Sequence, residues 1–245
     1  MLSKLLFNLF IIFLFLGNGS SSVAEADSAA KRPPPPRRIP PNKVKPGGGL
    51  SYSQQSCHDA DKSLIALVPV NNPVLTAKAH PSFLFYVPDP PAAISHGEFS
   101  ILTADEKKRV YQTSIAIERT PGIIKIDLPP EERYALEQDL LYHWYFKIYC
   151  QDSSVAAKFL DVDGWIERVE LTRAVEFKLA NSSPDIWYDA IANEAEQIIA
   201  DPQKSTQSKS WSKLMQYINL GHLTDIIIPI NNIFTKDTSS TTKVE

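Results

Sequence analysis

Cys57 and Cys150 are the two cysteines of this 245-residue chain and stand 93 positions apart. A nucleophilic Cys57 would need a base, and His58 is adjacent, but consecutive residues on a strand point to opposite faces, which places the pair badly for proton transfer. A disulfide needs only an oxidising compartment, where an even count is read as paired and two cysteines allow one intramolecular bridge. Closing so long a loop is worth roughly 4–5 kcal/mol in the chain-entropy account.

Other chemistry-bearing groups fit their chemistries less well. Glu131, Glu132, Glu137 and Asp139 cluster beside Pro129-Pro130 and offer the paired carboxylates of glycoside hydrolysis, although such a cluster reads first as a solvated loop. Asp161-Val162-Asp163-Gly164 invites a calcium loop, but aligning Gly164 with the glycine of an EF-hand puts Phe159 at the first ligand position, where it cannot ligate. An Asp-Gly turn is expected there. His58, His80, His96, His143 and His222 show no metal-ligand spacing, and no Gly-x-Ser-x-Gly, phosphate loop or dinucleotide fingerprint occurs, so no catalytic residue, metal or cofactor is expected. Whether the protein is an enzyme stays open, with the balance against it.

Residues 143–150 alternate strictly. Trp144, Phe146, Ile148 and Cys150 share one face, and His143, Tyr145, Lys147 and Tyr149 share the other. Tyr145 and Tyr149 on that second face could stack on a sugar. The expectation is that another element covers them instead, and the C-terminal helices are available to do it.

The elements that must carry these residues follow from period and punctuation. Strands are expected at 63–69, 82–87, 98–102, 109–117, 123–128, 143–150 and 165–172, separated by turn chemistry such as Asn71-Asn72-Pro73, Asp89-Pro90-Pro91 and Thr120-Pro121-Gly122. About seven short strands without intervening helices imply an antiparallel β-sandwich with an immunoglobulin-like arrangement. After Ala180 the period becomes helical. Ser183 suits a cap, Pro184 the first helical position and Asp185 the dipole, and Trp187, Ile191, Ala195 and Ile198 form one stripe over 184–200. A second helix over 210–220 carries Trp211, Leu214, Met215 and Ile218 inward, with Gly221 as its cap. For 223–234 a short helical turn and then irregular chain are expected. The class is therefore α+β: a sandwich over 50–180, and a helical annex over 181–234 expected to dock on the face of Tyr145 and Tyr149.

Residues 1–24 read as a secretory signal peptide, with Lys4 ahead of an apolar run 5–16 and Ser22-Val23-Ala24 for cleavage; the run is too short to span a membrane comfortably. Residues 25–49 read as a disordered basic linker: seven prolines and three terminal glycines lie in 31–49, together with Lys31, Arg32, Arg37, Arg38, Lys43 and Lys45. A solvated spacer is the first reading and a tether to an anionic envelope surface the second. Residues 235–245 read as a disordered tail. With the linker cations and Lys4 set aside, and Glu25 and Asp27 with them, residues 50–245 carry a formal charge of −8, which argues against nucleic acid as partner. Hydrophobic residues at 43% are enough for a packed core, so the chain is globular rather than disordered.

Several ordered blocks now stand out: Cys57 seven residues before Leu64-Ile65-Ala66-Leu67-Val68-Pro69, then Pro81-Ser82-Phe83-Leu84-Phe85-Tyr86-Val87-Pro88, Pro121-Gly122-Ile123-Ile124-Lys125-Ile126-Asp127-Leu128-Pro129, Tyr142-His143-Trp144-Tyr145-Phe146-Lys147-Ile148-Tyr149-Cys150, Gly164-Trp165-Ile166-Glu167-Arg168-Val169 and Ile186-Trp187-Tyr188-Asp189-Ala190. In this order, over roughly residues 47–225, the chain resembles the DUF928 family of exported cyanobacterial proteins without an assigned function. The resemblance implies a cyanobacterial source, an extracytoplasmic site and a Cys57–Cys150 pair, and brings no catalytic residues. The expected function is that of an exported, non-enzymatic binding or scaffold protein of the periplasm or exterior, engaging an envelope protein or polysaccharide. The alternative is a hydrolase of cell-wall or surface glycan that uses a carboxylate pair. Oligomeric state is not legible.

Overall fold

Apolar side chains recur at every second position through much of 65–168, and in a computed structural model strands form where they do. The structure describes residues 57, 63–71, 74–151 and 159–224, together with the backbone of 230–233. Its strands are β1 (Ile65–Ala66), β2 (Val74–Thr76), β3 (Ser82–Val87), β4 (Ile94–Thr103), β5 (Arg109–Ile115), β6 (Gly122–Asp127), β7 (Leu141–Cys150), β8 (Phe159–Arg168) and β9 (Ile230–Ile233). Among the described residues they form a four-stranded sheet in the order β1-β3-β6-β9 and a five-stranded sheet in the order β2-β8-β7-β4-β5. Pairing is antiparallel except between β2 and β8 and between β6 and β9. The class is α+β with two mostly antiparallel sheets.

The two sheets meet through aromatic rings. Register places Phe83 and Phe85 of β3 opposite Ile126 and Ile124 of β6, so all four share one face of the smaller sheet. From the larger sheet Phe99, Trp144 and Phe146 meet that face, with Phe85 stacked on Phe146 at 4.2 Å between ring centroids and Phe83 tilted against Phe99 at 4.7 Å. All five rings are buried. Such offset and edge contacts contribute about 0.5–1.5 kcal/mol per pair beyond the area they bury. Gly97 of β4 leaves room for this packing, since a Cβ there would lie 3.1 Å from Ile117 Cδ1 and 3.3 Å from Phe146 Cε2.

The helices are α1 (Arg173–Ala180), α2 (Trp187–Ala200), α3 (Lys204–Gln207) and α4 (Lys209–Tyr217). Ser183 accepts from Asp185 N at the 3-10 turn Pro184–Ile186 that leads into α2, and Ser208 accepts from Trp211 N at the start of α4. Glu194, buried on α2, joins the helix ends by accepting from Ser182 Oγ and Ser208 Oγ, each at 2.9 Å. The expected stripe Trp187, Ile191, Ala195 and Ile198 is buried, as are Trp211, Leu214 and Met215.

α2 packs against β2, β3 and β9, and its Glu196 lies 3.6 Å from the Nζ of Lys125. On β6, Lys125 points away from Ile124 and Ile126, so α2 covers the outer side of the smaller sheet. Lys125 is 2% exposed, and its charge is compensated by Asp127 and Glu196. This corrects the expected docking. α2 packs against β2, β3 and β9 and not on the face of Tyr145 and Tyr149.

Several boundaries also differ from expectation. β3 matches 82–87, whereas the expected strand 63–69 contracts to Ile65–Ala66. The expected strand 165–172 is displaced, because β8 already starts at Phe159 and the chain leaves the sheet after Arg168 to enter α1, capped by Thr172. Asp161-Val162-Asp163-Gly164 is therefore strand interior rather than a turn: Leu160, Val162, Gly164 and Ile166 alternate inward, and burying them outweighs the turn preference of Asp-Gly. The residue with left-handed backbone after α4 is Asn219, at φ 61°, and not the expected Gly221. The 3-10 turn Gly221–Thr224 agrees with the expected helical turn, but the irregular chain expected beyond it contains β9. The expected signal peptide, linker and tail, with Lys31, Arg32, Arg37 and Arg38, lie outside the described residues.

Candidate functional site

No described α-helix packs along β4, β5 or β7, so the outer side of the larger sheet carries no described helix over these strands. The alternation of β7 puts His143, Tyr145, Lys147 and Tyr149 there. Antiparallel register sets Trp165, Asp163, Asp161 and Phe159 of β8 beside them in that order. On the other flank β4 supplies Ser100 opposite Tyr145, Glu98 opposite Lys147 and His96 opposite Tyr149.

At one end of this face the aromatic rings are locked by carboxylates. His143 stacks on Trp165 with ring centroids 4.0 Å apart and planes 7° from parallel. Its Nδ1 is 2.7 Å from Glu106 Oε1 and its Nε2 is 3.0 Å from Asp163 Oδ2, so the ring donates on both sides only as the imidazolium. The Tyr145 hydroxyl donates to the same Glu106 oxygen at 2.9 Å. Glu106 reaches both groups from the β4–β5 turn, where its backbone is left-handed at φ 57°, an unusual conformation for a residue with a Cβ. The hydrogen bond from His143 first, and that from Tyr145 second, hold the Glu106 carboxyl below the usual glutamate range. Burial, then the bond to Glu106, pushes the Tyr145 phenol well above its ordinary value, so it stays a neutral donor.

At the other end the rings are open. Tyr149 stacks on His96 with centroids 4.4 Å apart and planes 9° from parallel, and Phe159 stands 5.8 Å away. Phe159 is 47% exposed, and the Lys147 ammonium sits 5.4 Å from its ring centroid. Burial, and secondarily Glu98, also raises the Tyr149 phenol. The result is a flat strip of half-buried and exposed rings, bordered by Glu98, Asp161 and Lys147, that offers ring faces for stacking and both donors and acceptors for hydroxyls.

Tyr145 and Tyr149 were legible as neighbours from alternation alone. Trp165, Phe159, His96 and Glu106 were not, since each joins the strip by cross-strand register or by a turn. Cys57 and Cys150 form the expected disulfide, with Cα atoms 5.4 Å apart. Glu131, Glu132, Glu137 and Asp139 are all exposed. Among the described residues no group of three or more His, Cys, Asp or Glu side chains is arranged to hold a metal ion, and no helix is long and apolar enough to cross a membrane.

A family model described as Domain of Unknown Function (DUF928) matches residues 45–227. No curated protein and no solved structure matches the chain.

Proposed function

This chain belongs to the DUF928 family, and on that premise we propose that it is an exported, non-enzymatic binding protein of the cell envelope whose ligand strip is the outer side of the larger sheet and whose ligand is a polysaccharide. The observation that carries the reading is Tyr149, stacked between strands on His96 and next to the exposed Phe159, on a sheet side that the helices leave uncovered. Exposed rings at this spacing suit the apolar faces of sugars, and Glu98, Asp161 and Lys147 suit their hydroxyls. The Cys57–Cys150 bridge supports an oxidising compartment.

The frame we propose is immunoglobulin-like. In that arrangement the third, sixth and seventh strands form one sheet with an added strand beside the third, and the first, second and fifth form the other. The order β8-β7-β4-β5 against β1-β3-β6 supports it. So does Tyr142 near the start of β7, whose hydroxyl accepts from Glu137 N, five residues upstream, at 2.8 Å, the bond of a tyrosine corner. β9 is an addition beside β6. The hydrolase alternative gains nothing from the strip, because none of Glu131, Glu132, Glu137 and Asp139 lies on it; Glu132 and Glu137 line a separate cavity, but they share it with four cations.

The test is affinity electrophoresis of the purified mature protein through gels containing soluble envelope polysaccharide. Retardation that is lost in Tyr149→Ala and weakened in Tyr145→Phe is the expected result. Equal mobility of wild type with and without every polysaccharide fraction would sink the reading, as would retardation unchanged in Tyr149→Ala.

A further inference from the structure

A second site of different chemistry is built on the β4–β5 hairpin that also carries Glu106, from residues none of which belongs to the aromatic strip. The β4–β5 hairpin, the segment 132–140 and the ends of β7 and β8 enclose a cavity of about 340 Å³. That volume lies at the lower end of the range for small-ligand sites. Cations gather on its wall: Lys108 and Arg109 come from the hairpin, Arg133 from the segment and Arg168 from β8. The acids on the same wall are Glu132 and Glu137, so the cavity has a net surplus of two positive charges in a body whose overall charge is negative.

Two donors of this wall, on Arg168 and Tyr142, lack a described acceptor. The Arg168 Nη1 donates to Leu136 O at 2.6 Å, yet its Nε is shut off from solvent with no hydrogen-bond partner among the described residues. Neither Arg109 nor Arg168 has a described carboxylate within 4.0 Å, although Glu132 and Glu137 share the wall. Tyr142, 3% exposed, accepts from Glu137 N, and its own hydroxyl proton is given to no described acceptor. Burial raises this phenol above its ordinary value, which keeps the proton in place. Buried donors normally find acceptors, and Arg168, whose Nε has none among the described residues, lines this cavity. A guanidinium fork matches the two oxygens of a carboxylate, sulfate or phosphate.

We propose that this cavity is an oxyanion-binding site, in which Arg168 and Tyr142 donate to the anionic group of a small acidic ligand and Arg109 supplies the charge at the mouth. It is independent of the aromatic strip, so neither site's failure bears on the other.

NMR titration of the folded protein with glucuronate, inorganic phosphate, sulfate and neutral glucose tests it. The expected result is saturable shifts of Arg109, Tyr142 and Arg168 amides with at least one anion and none with glucose, weakening as salt rises. Glucuronate binding tighter than phosphate assigns the source as a sugar acid, and the reverse order assigns a phosphorylated ligand. Arg168→Gln should abolish the shifts, and Arg109→Gln, at an exposed position that leaves the fold alone, should weaken affinity by about threefold to tenfold. Absence of shifts with all three anions, glucose binding as well as glucuronate, or affinity unchanged in Arg109→Gln would overturn the proposal.

Discussion

The indole N–H of Trp144 donates to the phenol oxygen of Tyr188 at 2.6 Å, with both side chains sealed from solvent, and so ties the core face of β7 to the first turn of α2. Tyr188 also meets Phe83 edge-on at 5.2 Å, which makes it the point where both sheets and the helix converge.

Tyr188→Phe leaves the Trp144 N–H buried without an acceptor and should cost about 1–3 kcal/mol in urea unfolding, whereas Trp144→Phe combined with Tyr188→Phe removes both polar groups and should cost less than the two single changes added together. Strict additivity would show that the bond carries no coupling.

Asp189, one residue on, is a buried clasp. One of its oxygens accepts from Thr76 Oγ1 at 2.7 Å and from Ala77 N at 3.0 Å, joining α2 to the end of β2. Burial raises its carboxyl above the ordinary 3.8, with the bonds from Thr76 and Ala77 offsetting part of the shift. The native state therefore holds this proton more tightly than the unfolded chain, and the contribution is fully present below the ordinary value and lost as pH rises through the folded one. The stability of wild type relative to Asp189→Asn should fall as pH is raised above the ordinary aspartate value and through the folded one; a relative stability that rises instead would mean that the two donors outweigh burial.

Glu106 has the opposite sign. Its folded value is depressed below the ordinary 4.5 by His143 and Tyr145, so its contribution is present above that value and lost as pH falls through the folded one. Carboxyl-carbon NMR should find it titrating below the ordinary glutamate value, and His143→Phe should return it most of the way. A titration unchanged in that variant would assign the shift to another source.

Gly97→Ala should destabilise by about 1–3 kcal/mol, because the new methyl meets Ile117 and Phe146 and the core between the sheets must shift to admit it. Thermal unfolding of the variant at wild-type midpoint would show that the Ile117 side chain yields without cost.

Replacing Cys57 and Cys150 together by serine should lower stability by roughly 4–5 kcal/mol, the loop-closure entropy returned to the unfolded chain. A double-serine variant that unfolds at the wild-type midpoint would show that closing this loop contributes no such entropy.

The sequence by itself determined what depends on local period: the two faces of 143–150, the buried stripe of α2, the Ser183 cap and the two-cysteine pairing. Each is set by residues a few positions apart, or by a count, and no distant partner changes it. Only the tertiary structure decided which face of each sheet was covered. Both faces of β7 carry aromatics, so alternation could not say that Trp144 and Phe146 would meet Phe83 and Phe85 while Tyr145 and Tyr149 stayed uncovered. On β6 the outward Lys125 lies against Glu196 of α2, a juxtaposition that no local pattern announces. The pairing of Ile123 with Ile230, and the gathering of Arg109, Tyr142 and Arg168 around one cavity, joins residues too far apart in the chain for any spacing to announce.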